Sequence, residues 1–292
     1  MNTGTIPQRG FPVSEFELRT LRAQEKMLEL GVDALLLTTE PHVRYFSGFL
    51  TQFWLSPTRP WFLIVPLHGK PVAIIPTIGE VGMRDTWLDD VRCWPSPRPE
   101  DDGISLLVQA IGELPSRFGR IGVPTGPETH LRMPVANFET LRNKLGSTQF
   151  IDCSRLLVEL CMIKSQAEVE KIHYVCSLAS DSFAALPDFA HIGDSEREIV
   201  QAMRIDLLKR GADNSPFIVS ASGHDGYDNI IMGPGDRPLG DGDLLIIDTG
   251  TTFDGYYCDF DRNYAFGRAS EASMRAYETV FKATDAGFAS AR

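Results

Sequence analysis

Apolar positions set the first expectations. Over residues 13 to 31, Phe16, Leu18, Leu21, Met27 and Leu30 recur at near-helical spacing, which predicts an amphipathic helix ended by Gly31. The runs DALLLTT (33–39), WFLIVPL (61–67) and KPVAIIP (70–76) are short, apolar and bounded by proline and glycine, so they predict strands. A helix from about Gly103 to Leu114, the strand RIGVP (120–124), a helix near Val135 to Leu145 and the strand QFIDC (149–153) follow. Strands alternating with helices predict a three-layer α/β domain with a mixed or parallel sheet.

The pattern changes at Ser165. Ser165 and Glu168 form a capping-box pair before a long helical stretch, in which each side chain satisfies a backbone donor of the first turn. A second helix is capped by Asp194 or Ser195 and stopped by Gly211. The chain then becomes strand-rich through FIVSAS, DLLIIDTG and GYYCDFDRNYAF, with a final helix over Ala269 to Arg292. This order predicts an α+β domain, with the division at residues 1–161 and 162–292. Solenoid-period repeats and low-complexity tracts are absent.

Composition narrows the function classes. The chain has 292 residues, 43% hydrophobic and 23% charged, ordinary for a globular protein with a real core. A net charge of −11 without a basic patch argues against a nucleic-acid partner. Five widely spaced cysteines with no C-x-x-C pair suggest neither a zinc knuckle nor a disulfide framework. The polar N-terminus lacks a signal core and no window approaches a membrane helix, so a reduced, cytoplasmic setting is expected. MGPGDRPLGDG is glycine-rich but opens no helix and lacks Lys-Ser/Thr, so it predicts a turn rather than a phosphate cradle. Neither a G-x-S-x-G elbow nor an H-x-x-x-H pair occurs.

The stretch IIDTGTTFDGYYCDFDRNYAFG (246–267) carries four aspartates among β-formers. A turn at Asp254-Gly255 predicts a hairpin that brings Asp248 and Asp259 near one another across neighbouring strands. Facing carboxylates are destabilising unless a cation or shared proton compensates. Oxygen donors suit Mn²⁺, Fe²⁺ or Co²⁺. Spacing alone leaves two readings open: metal ligands, or turn and rim acids in water.

The same stretch resembles the metal-binding hairpin of the pita-bread metallohydrolases: methionine aminopeptidase, aminopeptidase P, prolidase and creatinase. Gly242-Asp243, Asp248, Gly250, Gly255-Tyr256, Cys258, Asp259 and Arg262 fall in register with that pattern, with the two acids 11 positions apart. TTEPHVRYFSGF (38–49) resembles the signature after the first strand of the creatinase/prolidase N-terminal domain, and VELCMIKSQAEVEKIHYVCSLAS resembles that family's linker into its catalytic domain. The resemblance implies a creatinase/prolidase-like α/β domain followed by an α+β pita-bread domain, in the two-domain branch. It implies Asp248 as first ligand and Asp259 as bridge for two divalent ions (Mn, Fe or Co, with Zn an alternative). The expected activity is hydrolysis of a peptide with proline in second position.

Three departures qualify the expectation. The family's remaining ligands, one His and two Glu, lie downstream of the hairpin, whereas no histidine follows His224 here. Two of five ligands are present, so an incomplete pita-bread domain is expected. The substrate-contacting histidine of the peptidases has only His224 as a counterpart, several positions early, and His224 is the candidate catalytic residue. Asp261 and Asn263 replace the two threonines of a Thr-Arg-Thr pattern, so Asp261 is expected to bind Arg262 or to raise a neighbour's pKa. In TQFWLSPTRPWF (51–62), Trp54 and Arg59 are candidates for a lid that the resemblance places at a partner's site in a homodimer. Alternatives are a creatinase-like hydrolase of a small amide or other C–N compound, and a non-catalytic binding or regulatory remnant.

Overall fold

The computed structural model describes residues 5–291; Arg292, at the end of the expected last helix, lies outside them. Two compact units emerge: Gly10–Lys164, and Ser165–Arg292 together with the N-terminal segment through Arg9.

The first unit runs α1 (Val13–Leu30), β1 (Ala34–Leu37), α2 (Glu40–Ser47), β2 (Phe62–Pro66), β3 (Val72–Pro76), α3 (Glu80–Arg84), β4 (Asp90–Trp94), α4 (Ile104–Gly112), β5 (Arg120–Val123), α5 (Val135–Lys144), β6 (Gln149–Asp152) and α6 (Ser154–Met162). Its six-stranded sheet has the order β4-β3-β2-β1-β5-β6. The β1–β2 and β2–β3 pairs are antiparallel and the other three parallel, so the sheet is mixed.

Strand alternation builds two cores. Leu35 and Leu37 pack with Ala23 and Met27 of α1, Phe46 of α2 and Leu156, Leu157 and Leu160 of α6. Ala34 and Leu36 face the other way, with Leu107 and Ile111 of α4 and Leu141 of α5. Burying each such side chain contributes about 1.5–3 kcal/mol. Gly31 ends α1 in the left-handed region, φ 67°, where its N–H reaches the Leu28 carbonyl. Four elements go beyond the apolar pattern, the short helix α3 among them. The α2 helix carries proline in its first turn, where the missing N–H costs nothing. Edge strand β4 has a half-charged sequence, with Arg92 bonded to Asp90 and Glu113. Helix α6 overlaps the stretch matched to the linker from Val158 to Met162.

The second unit comprises α7 (Gln166–Ala184), α8 (Glu196–Arg210), β7 (Asn214–His224), β8 (Asp243–Phe253), β9 (Tyr256–Phe266) and α9 (Glu271–Ser290). Both capping boxes are present, Ser165 with Glu168 and Ser195 with Glu198. The three strands form an antiparallel sheet in the order β7-β8-β9. Side chains from α7 and α8, including Val175, Phe183, Ile199 and Met203, bury one sheet face against Leu245, Ile247, Phe253 and Cys258. The opposite face is open along β9, where Tyr257, Asp259, Asp261 and Asn263 are exposed. Helix α9 buries none of its described side chains. All five cysteines are free, and among the described residues no helix is long and apolar enough to cross a membrane.

Candidate functional site

Strand register decides which side chains share the open face. Asp248 lies opposite Asp261, Gly250 opposite Asp259, and Ile246 opposite Asn263. Directly paired residues point the same way and alternate residues share a face. Asp248, Asp259, Asp261 and Asn263 therefore stand together, with Asp259 diagonal to Asp248. On the β7 side, Val219 pairs with Asp248 and Phe217 with Gly250, so both belong to this face. Gly250 is required here because a Cβ on it would lie 2.1 Å from the Phe217 ring. The aromatic ring crosses that position beside Asp259.

Among the described residues, the Asp248, Asp259 and Asp261 carboxylates have no ion-pair partner. Burial first, then the charges of Asp259 and Asp261, push the Asp248 carboxyl above the usual carboxylate range. Crowded carboxylates with oxygen donors turned outward fit a hard divalent cation. Asp248 and Asp259 are the residues that could hold one. Among the described residues no group of three or more His, Cys, Asp or Glu side chains comes together as a metal cage, so this face supplies part of a donor set.

The hairpin is fixed at both ends. At its turn, Asp254 (φ 48°) and Gly255 (φ 81°) adopt left-handed conformations, the pair of positive φ angles that a tight two-residue hairpin turn demands. Lys171 donates to Asp254 Oδ2 at 2.8 Å, both side chains being buried. The Asp254 N–H donates to Asp213 Oδ2 at 2.7 Å, and Arg9 also holds Asp213. Beneath the site, the hydroxyls of Ser215, Thr249 and Thr251 bond one another in the core, next to a bulge between Asn214 and Phe217. At the far end, buried Asp243 accepts from Arg237 at 2.8 Å and from the Gly240 N–H at 2.7 Å. The Arg237 guanidinium holds the Asp243 carboxyl below its ordinary range. Buried Glu196 accepts from Ser222 and from the Gly235 N–H, pinning the β7–β8 connection.

The remaining expected site residues lie elsewhere. His224 pairs with Asp243, on the helix-covered face and five residues along β8 from Asp248, roughly 17 Å at strand rise. Its ring rests against Gly242. Arg262 is also turned to the helix-covered face, over Phe260 and Phe183. It donates to the Asp261 carbonyl, not to the carboxylate. In the first unit, Trp54 is 8% exposed and packs on Trp61 beneath the Arg132 guanidinium, so it is core rather than lid surface. Arg59 (φ 58°) lies over the Phe53 ring. Arg132 holds this loop by donating to the Phe53, Ser56, Thr58 and Arg59 carbonyls.

One residue that motif reading did not single out reaches the acid face. The Tyr227 hydroxyl donates to Asn263 Oδ1 at 2.5 Å. Burial and the Asp261 charge raise its pKa above that of an ordinary phenol, so it is a donor at neutral pH.

An α/β domain joined to an antiparallel hairpin with acids on an open face is the architecture of a two-domain metallohydrolase of the pita-bread type. Comparison with known proteins agrees. Residues 19–163 match the Creatinase/Prolidase N-terminal domain and residues 170–292 match metallopeptidase family M24. The chain belongs to this metallopeptidase family, in the branch that carries the creatinase/prolidase N-terminal domain. It is 23% identical over 296 residues to the probable dipeptidase PepE of Mycobacterium tuberculosis, covering 97% of this chain and 72% of that protein. The uncharacterized peptidase YqhT of Bacillus subtilis is 23% identical over 271 residues, covering 89% and 69%. Among solved structures, the prolidase of Thermococcus sibiricus superposes with a TM-score of 0.79 at 22% identity, covering 97% of this chain and 72% of that one. Dipeptidase PepE of Mycobacterium ulcerans gives 0.76 at 24%, covering 92% and 69%. These structural likenesses establish the fold.

Proposed function

We propose that the chain belongs to a metal-dependent hydrolase that cleaves the amide bond of a dipeptide, with Xaa-Pro dipeptides as the substrate class. The observation that carries this reading is the pairing of Asp248 with the diagonal Asp259 on an open sheet face without a counter-cation. The names of its relatives, dipeptidases and prolidases, point the same way.

In this reading Asp248 and Asp259 hold divalent metal, two ions in the complete family site, with Mn, Fe or Co favoured over Zn by the all-oxygen donors. Such ions supply a nucleophilic water at neutral pH and polarise the scissile carbonyl. The chain's own contribution is to fix the two carboxylates on a rigid hairpin, locked at its turn by Lys171 and Asp213 and at its base by Arg237. Phe217 and Val219 give the face an apolar flank suited to a side chain or a proline ring. A homodimer is part of the proposal, with the loop from Gln52 to Arg59 presenting Phe53, Leu55 and Arg59 to a partner copy. The free cysteines suit a cytoplasmic setting.

A second reading, hydrolysis of a small non-peptide C–N compound, draws support from the orientation of His224 away from the acid face. One assay separates the two. The protein is incubated with Mn²⁺ and offered Ala-Pro, Ala-Ala and creatine, with release of proline, alanine or urea measured. Proline release that Asp259→Asn reduces to background supports the dipeptidase reading. Urea release supports the second. Turnover of none of the three contradicts both.

A further inference from the structure

Tyr227 carries more than its distance from the motif suggests. Three features deliver it to the acid face. Asp225 sits in the left-handed region, φ 61°, where Asp is among the few non-glycine residues at home. A Cβ on Gly223 would lie 2.2 Å from the Gly226 carbonyl oxygen, so the chain folds back on itself more tightly than any side chain at 223 allows. The Asp225 N–H donates to the Gly242 carbonyl, and Ser273 donates to the Asp225 carbonyl. This turn reverses the chain at the end of β7. The next residue, Tyr227, then reaches Asn263 on the open face, although His224 at the strand's end points to the covered one.

The placement has chemical content. Asn263 lies opposite Ile246, one alternate position from Asp248 on β8, and the Asp261 charge acts on the Tyr227 phenol, so the tyrosine hydroxyl lies on the acid face beside the Asp248–Asp261 pair. Of the neutral side chains hydrogen-bonded on this face, Thr252 gives its hydroxyl proton to the Asn214 carbonyl near the hairpin turn, whereas Tyr227 stands beside Asn263 next to the acids.

We propose that Tyr227 is the residue that orients the substrate. Its hydroxyl, which donates to Asn263 Oδ1, exchanges that acceptor for the carbonyl oxygen of the amide being cleaved and the negative charge that develops there. This rests on the proposed amide-hydrolase reading. It assigns to a phenol on the β7–β8 connection the role for which no histidine is in position on this face. Asn263 is the positioning residue: it selects the rotamer in which the hydroxyl faces the acids.

The test uses the chain with Mn²⁺ and a phosphinic Xaa-Pro analogue, a tetrahedral mimic of the attacked amide. Mn²⁺ and analogue affinities are measured calorimetrically for the protein and for Tyr227→Phe and Asn263→Ala, and the ¹³Cζ resonance of Tyr227 is followed by NMR. The proposal predicts unchanged Mn²⁺ affinity in both variants. Analogue binding weakens about 10- to 100-fold in Tyr227→Phe, as for a hydrogen bond to a charged group. It weakens less in Asn263→Ala, and the Tyr227 resonance shifts when the analogue binds. Intact Mn²⁺ binding with equal analogue affinity in Tyr227→Phe overturns the tyrosine's role and leaves the metal reading standing. Failure of the unsubstituted protein to bind Mn²⁺ overturns both.

Discussion

The two sheets of this protein use carboxylates and apolar residues in opposite ways. In the six-stranded sheet, β1 and β2 are buried on both faces at every position. The one deeply placed acid at its entrance, Asp33, is saturated by the backbone N–H groups of Arg117, Phe118, Gly119 and Arg120. In the three-stranded sheet only one face is covered. The other carries Asp248, Asp259 and Asp261, whose carboxylates the described chain leaves unneutralised. A carboxylate that is fully satisfied serves the fold. A row of carboxylates that repel one another and still stand on a well-pinned hairpin serves something outside the fold. The metalloenzyme reading grows from that contrast.

The contrast can be broken at three levels. The largest effect belongs to the two-faced sheet. Phe62, fully buried beside Trp94, loses its packing in Phe62→Ala, and chemical denaturation should register a loss of about 3–5 kcal/mol in the unit that contains it. A loss below about 1 kcal/mol would show that this sheet is not the rigid core described. An intermediate effect belongs to the open face. Gly250→Ala puts a methyl into the Phe217 ring and should cost about 1–3 kcal/mol. Gly250→Ala combined with Phe217→Ala should recover part of that loss, whereas strict additivity would mean the ring is not what excludes a side chain.

The smallest effect is at the base of the hairpin and depends on pH. Arg237 lowers the folded-state pKa of Asp243, so its contribution is complete above the unfolded carboxylate value of about 3.9. It disappears as pH falls through the lower folded value. Asp243→Asn should therefore melt earlier than the parent by a constant margin from pH 6 to 8, and thermal scans should show the two curves converging below about pH 4. A margin that persists at the acid end would place the stabilisation elsewhere.

Much of this architecture was legible in the residues, for reasons that can be named. The N-terminal strands are runs of Leu, Ile and Val that only a two-faced sheet accommodates. The capping serines precede a glutamate three positions on. The Asp254-Gly255 turn and the spacing from Asp248 to Asp259 mark the hairpin. What escaped depends on register and on tertiary neighbours. The face occupied by His224 follows from its pairing with Asp243, which spacing in the sequence does not specify. The family resemblance places Trp54 in a lid, yet Arg132, far along the chain, satisfies the loop carbonyls and lies over the indole. Tyr227 carries no motif signal, and its position emerges only from the turn through Gly223, Asp225 and Gly226. Strand β4 was hidden because Asp90 and Arg92 neutralise each other on an edge strand and break the apolar run.

The most direct test of the central claim is the metal content of the purified protein. Mn, Fe, Co and Zn would be measured by mass spectrometry after equilibration with each ion, for the protein and for Asp248→Ala and Asp259→Ala, with circular dichroism confirming that all three are folded. Near-stoichiometric metal in the parent that either substitution abolishes is the predicted result. Metal at background in the parent, or metal retained by both variants, would contradict the assignment of the acid face as a metal site.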